Sequence, residues 1–287
     1  MPTSERFGCS FILELDGANL LFDCGPAATA KMAKARFSPV QINHLFFTHH
    51  HFDHNADYPC FLLARWDQSL HNTPKLQVRG PRPTTTVTER LIGEEGAFRD
   101  DLTARMNAAG SHAVYINRGG IVPRPDSAVD SVDIEAIEPF DGGSWKMTSA
   151  LGSHMEPWLR LLVYRIDYDG GKSIVFAADT KPYSPPVQLA KGADVLVITC
   201  WDHQNVVDRD DVAKAMSGTR DVAEIAAAAG VSCLVPTHFS EGFTELQSLE
   251  QARRDIGEIY WRRGHFRQRV DGHRSLSGCA VVDPCGS

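Results

Sequence analysis

The chain has 287 residues, 43% hydrophobic and 23% charged, the proportions of an ordinary globular protein with a sizeable core. Its 29 Lys+Arg against 36 Asp+Glu give a formal charge of −7, which argues against a protein that grips nucleic acid through a basic surface. An apolar run of about 18 residues is absent, which excludes a membrane-spanning helix, and residues 1–6 show no apolar signal core.

In chain order, residues 10–15 and 19–22 read as a hairpin around Asp16-Gly17. Residues 42–48 read as a buried strand. Residues 84–109 read as an amphipathic helix closed by Gly110, and 118–128 as a surface loop rich in Gly and Pro. Strands are expected over 131–137, 146–151, 161–168, 173–178, 195–199 and 233–236, with Asp169-Gly170-Gly171 as a hairpin turn. Helices are expected over 220–229, stopped by Gly230, and over 244–259. The alternation predicts one α/β domain spanning 1–287, with two sheets flanked by helices. Cys9, Cys24, Cys60, Cys200, Cys233, Cys279 and Cys285 are odd in number and contain no C-x-x-C pair, as expected of free thiols in a reducing cytoplasm.

The strongest chemical signal is Thr48-His49-His50-His51-Phe52-Asp53-His54, directly after a buried strand. His49 and His51 are two apart, so an extended loop points both rings one way, and His50 the other. Asp53 and His54 follow at the next turn. Imidazole with carboxylate suits zinc and tolerates iron or manganese. His154, Asp179 and His238 each stand where an apolar strand stops, placed to join a site at a sheet edge. Asp23, in Leu21-Phe22-Asp23-Cys24-Gly25, also ends a strand and is expected to support a ligand by hydrogen bonding.

These segments, in this order, resemble the metallo-β-lactamase-fold hydrolases, with the texture of their ribonuclease Z and arylsulfatase-like branch. The resemblance implies an αββα sandwich of two mixed sheets, in a chain that begins after the family's first strand. It implies one or two Zn2+ ions, with Mn2+ or Fe2+ as substitutes. His49, His51 and His154 would hold the first, Asp53, His54 and His238 the second, and Asp179 would bridge. A metal-bound hydroxide would attack an electrophilic centre, with Asp53 orienting it or moving its proton. Two departures from the ribonuclease Z pattern stand out. Gly218 occupies the place of a His before the last helices, and Thr199-Cys200-Trp201 the place of a His-Glu pair.

Phe52, Met155, Trp158 and Trp201 flank these positions and suggest an apolar slot for a flat aromatic substrate. The chain also resembles the hydrolytic dehalogenases of this broad group in texture and in these aromatic neighbours, and that resemblance implies hydrolytic dehalogenation of a chlorinated aromatic nitrile as the specific expectation, with no nucleic-acid or membrane partner and a homodimer plausible. The alternatives are phosphodiester or sulfate ester hydrolysis, lactone or β-lactam hydrolysis, and a non-catalytic metal-binding subunit.

Overall fold

The structure, a computed structural model, describes residues 7–15, 17–127, 129–136, 139–209 and 211–260, with the backbone of 274–276 and 279–282. Residues 1–6, Asp16 of the first turn, Ala128, Ile137, Cys285 and the side chain of Cys279 lie outside the described residues. The chain groups into two compact units, one reaching Ile134 and taking back a late strand, the other beginning at Glu135.

In the first unit, β1 (Phe11–Leu15) and β2 (Ala18–Phe22) form the expected antiparallel hairpin, with Phe11 opposite Phe22. After α1 (Ala28–Lys34) comes β3 (His44–Phe46), shorter than expected and parallel to β2. Then follow α2 (Phe52–Asn55), α3 (Tyr58–Gln68), β4 (Leu76–Gly80), α4 (Thr84–Ile92), α5 (Arg99–Asn107), α6 (Ala109–Asn117) and β5 (Val129–Asp133). β4 pairs parallel with β3 and with β5, so the sheet is mixed. Its core joins Ile12, Leu21, Leu45 and Val78 on the strands to Phe61 and Leu62 on α3.

The helix expected over 84–109 is in fact two, and Gly110 lies inside a third. A Cβ at Gly93 would sit 2.6 Å from the Glu89 carbonyl, and the chain leaves the helix there before restarting at Arg99. The loop after α6 is pinned rather than loose. Arg124 is buried, lies 3.8 Å over the Trp66 ring and donates to the Trp66 and Asp67 carbonyls.

The second unit contains β6 (Phe140–Asp141), β7 (Trp145–Leu151), β8 (Leu162–Tyr168), β9 (Lys172–Phe176), α7 (Ser184–Leu189), β10 (Val195–Thr199), α8 (Gln204–Val207), α9 (Thr219–Ala229), β11 (Cys233–Thr237) and α10 (Leu246–Tyr260). The strand order is β11-β10-β9-β8-β7-β6, parallel from β9 to β11 and antiparallel elsewhere. β10 reads VLVIT and is buried throughout, the continuous apolar run of a central parallel strand. Each such side chain contributes roughly 1.5–3 kcal/mol by leaving water. Over it lies α9, with Val222, Ala223, Ile225 and Ala226 inward, and Gly230 (φ 66°) ends that helix as expected. On α10 the buried residues are Ala252, Ile256 and Tyr260, one turn apart. Two short strands, β12 (Arg274–Leu276) and β13 (Cys279–Val282), close the described chain, and β13 pairs antiparallel with β1.

Among the described residues, no helix is long and apolar enough to cross a membrane. None of the five described cysteines forms a disulfide.

Candidate metal centre

The first donor set grows from the ends of β2 and β3. Parallel pairing sets Phe22 opposite Phe46, so the chain leaves both strands at one edge. Asp23 comes next, buried and in the left-handed region (φ 58°), with its amide donating to the Phe46 carbonyl at 2.9 Å. Its Oδ1 accepts from the Thr48 amide at 2.7 Å, and its Oδ2 from the Thr48 hydroxyl at 2.7 Å. The same Oδ2 lies 2.8 Å from His54 Nδ1.

Proton directions follow from this network. The carboxylate only accepts, so His54 Nδ1 donates and its Nε2 is left as a lone-pair donor. The Thr48 hydroxyl has spent its proton on Asp23. At 3.1 Å it accepts from His49 Nδ1, which leaves His49 Nε2 bare as well. One aspartate thus fixes the tautomers of two histidines, one directly and one through Thr48.

His49 Nε2 lies 3.1 Å from His51 Nδ1, and His54 Nε2 lies 3.8 Å from Asp53 Oδ2. Two nitrogens bound to one tetrahedral zinc at about 2.0–2.1 Å sit roughly 3.3 Å apart. The His49–His51 spacing therefore fits a shared divalent ion. Glycine makes room for this loop: a Cβ at Gly25 would fall 2.1 Å from the Asp53 carbonyl oxygen. Cys9, also buried, has its sulfur within 4.8 Å of a His54 ring nitrogen. His50 turns away as expected, 2.7 Å from the Thr84 hydroxyl and 3.2 Å from the Asn55 amide, and burial lowers its pKa.

The second donor set lies at the ends of β7, β9 and β11. His154 is buried, with Nδ1 2.9 Å from the Ala215 carbonyl, so Nδ1 donates and Nε2 is bare. Asp179 is buried, and its Oδ1 accepts from the Thr199 hydroxyl at 2.6 Å. Its Oδ2 is 3.4 Å from His238 Nε2, again near the edge of a shared coordination shell. Ligand atoms of His154 and Asp179 lie within 4.8 Å of one another. Ala178 (φ 44°) and His238 (φ 55°) are left-handed non-glycine residues, strain of the kind that concentrates at functional sites.

Each unit therefore gathers its own sequence-expected donors: His49, His51, Asp53 and His54 with Asp23 in one, His154, Asp179 and His238 in the other. Thr48, Thr199, the Ala215 carbonyl and Cys9 escaped the sequence reading. Only the position of Thr48 beside the His run hinted at a role.

The apolar neighbours behave differently from the enclosed slot expected of them. Phe52, at the start of α2, is 59% exposed, and Met155 and Trp158, on the turn after β7, are 40% and 89% exposed. Only Trp201 is half-buried, its ring 5.8 Å from that of His238. At Gly218 the space for a side chain is filled by Gln204, whose Oε1 accepts from the Arg220 and Asp221 amides at 3.0 and 3.1 Å and caps α9.

Residues 18–239, a stretch that contains every His and Asp donor named above, match the Beta-lactamase superfamily domain. The chain belongs to the beta-lactamase superfamily. Its two mixed sheets with flanking helices are that superfamily's metallo-β-lactamase fold. Among curated relatives, a ribonuclease Z of Mycolicibacterium gilvum (strain PYR-GCK) is 29% identical over 262 residues, covering 83% of this chain and 80% of that protein. Among solved structures, the metallo-beta-lactamase fold protein YhfI from Bacillus subtilis is similar at a TM-score of 0.65 and 16% identity, covering 91% of this chain and 88% of its own. The short form of human tRNase Z scores 0.60 at 19% identity, covering 84% of this chain and 89% of its own. Both structures speak for the fold.

The ribonuclease Z relatives overturn the expectation of a small aromatic substrate and no nucleic-acid partner. That expectation took a whole-chain charge of −7 as a measure of the surface, whereas binding responds to the local field at the site.

Proposed function

We propose that this superfamily member is a metal-dependent phosphodiesterase that acts on nucleic acid. The observation that carries the reading is the pre-ordered donor chemistry: three histidines whose second nitrogen is fixed by a hydrogen bond, with Nε2 left to bind. The ribonuclease Z relatives support the choice of a phosphodiester over the other esters.

His49, His51 and His154 would hold one divalent ion and Asp53, His54 and His238 another, with Asp179 shared. This assignment rests on the order of the donors within the matched family stretch. Zinc suits the set, and Mn2+ or Fe2+ are the substitutes. When bound, such ions supply Lewis acidity, polarising a phosphoryl oxygen and acidifying a water.

The chain's own residues do the rest. Asp23 and Thr48 hold the rings of His49 and His54, and Thr199 holds the Asp179 carboxylate. Asp53, the least buried of the carboxylates involved, takes the proton of the attacking water at a carboxylate oxygen. With Gly218 and Thr199-Cys200 in place of the histidine-bearing positions of ribonuclease Z enzymes, leaving-group protonation is the step with least support from side chains.

The test therefore uses a leaving group that needs no proton. Bis(p-nitrophenyl) phosphate should be hydrolysed by the Zn2+- or Mn2+-loaded chain, and Asp53→Ala should slow turnover about 10²–10⁴-fold. A metal-loaded wild type that leaves this diester intact contradicts the reading.

A further inference from the structure

Resting on the phosphodiesterase reading, we propose that Trp158, with Lys181 and Tyr183 on the adjoining loop, is a stacking platform for an unpaired nucleobase of a single-stranded substrate. Trp158 is 89% exposed, more than any other large hydrophobic side chain described. An indole is an expensive group to leave in water, and Trp is highly buried on average.

The ring is not on a loose tail. Glu156 accepts from the His154 amide and the Ser153 hydroxyl, both at 3.1 Å. The amides of Trp158 and Leu159 both donate to the Met155 carbonyl, at 2.9 and 3.2 Å. The turn that sets the metal donor His154 thus also sets Trp158, four residues on.

The loop after β9 is stitched to this turn. Ser153 donates its amide to the Thr180 hydroxyl at 3.1 Å, and Lys181 donates its amide to the Ser153 carbonyl at 2.9 Å. That loop begins at Asp179 and reaches Tyr183, which is 43% exposed. Two exposed rings therefore sit four residues beyond two metal donors, on loops bonded to each other.

Charge favours a base over a phosphate as the group received here. Arg160 is tied to Glu135 in an ion pair, and Lys181 is the neighbouring cation with no carboxylate partner among the described residues. One cation beside two exposed rings is a local setting for a base rather than for a run of phosphates, and stacking is tolerant of sequence and needs no basic surface.

The experiment is anisotropy of a fluorescein-labelled oligo(U) 12-mer titrated with the metal-stripped full chain at fixed salt. Trp158→Ala should weaken binding about 5- to 100-fold, and Trp158→Phe should recover most of the loss. In the wild type, bound oligonucleotide should shield tryptophan fluorescence from iodide, and Trp158→Phe should abolish that shielding. Wild-type protein that does not bind, or Trp158→Ala that binds equally well, overturns the platform. Because binding is read without metal or turnover, a chain that hydrolyses bis(p-nitrophenyl) phosphate yet ignores Trp158→Ala keeps the activity and loses only the platform.

Discussion

At the ends of β2 and β3 a single buried carboxylate organises two imidazoles, whereas at the ends of β7 and β9 His154 and Asp179 each have a support of their own. Asp23 receives the Thr48 amide, the Thr48 hydroxyl and His54 Nδ1, and through Thr48 it also sets His49. His154 instead leans on the Ala215 carbonyl, and Asp179 on the Thr199 hydroxyl. The first arrangement concentrates order in one side chain, and damage there spreads to every donor it holds. The second distributes order, so damage stays local. A backbone carbonyl also cannot be removed by substitution, which makes His154 the donor least exposed to mutation of its support.

Removing each support tests this contrast. Asp23→Ala strands a buried amide, a hydroxyl and an imidazole at once, and should cost about 3–5 kcal/mol of unfolding free energy, together with bound metal. Thr199→Val deletes one hydrogen bond to Asp179. It should cost about 1–2 kcal/mol and lower metal affinity about 10–100-fold. Denaturant melts with metal analysis on both variants give the comparison. Equal losses would show that order is shared evenly between the two donor sets.

The smallest effect concerns a histidine of β3 that is not a donor. Burial, with Arg79 nearby, lowers the His44 pKa from 6.5 to about 4. The folded value lies below the unfolded one, so the unfolded chain binds the proton more readily. The stability His44 contributes is complete above about pH 6.5 and is lost as pH falls towards 4. His44→Leu should therefore flatten the decline of melting temperature between pH 7 and pH 4.5 relative to wild type. Parallel pH profiles would remove His44 from the account.

The strand-end placement of Asp23, Asp179 and His238 was legible in the sequence because each follows an apolar run: Asp23 after Leu20-Leu21-Phe22, Asp179 after Val175-Phe176, His238 after the run from Leu234. Parity along the loop also anticipated that the His50 ring turns towards Thr84 and Asn55. Thr48 and Thr199 were not legible as supports, since a threonine at a strand end is ordinary and its partner is reached only through space. The helix expected over 84–109 failed at Gly93, where a backbone approach outweighed the apolar spacing. Trp158 was expected in an apolar slot and is instead exposed, because sequence reveals an aromatic side chain without revealing its exposure.

The proposed metal binding gives a zinc-holding role to residues of each donor set. Its most direct test is a zinc titration, followed by calorimetry, into chelator-stripped wild type, His49→Ala and His238→Ala. Two zinc ions should bind per wild-type chain, with weaker or fewer ions bound in each variant. Wild-type zinc affinity and stoichiometry in either variant would contradict it.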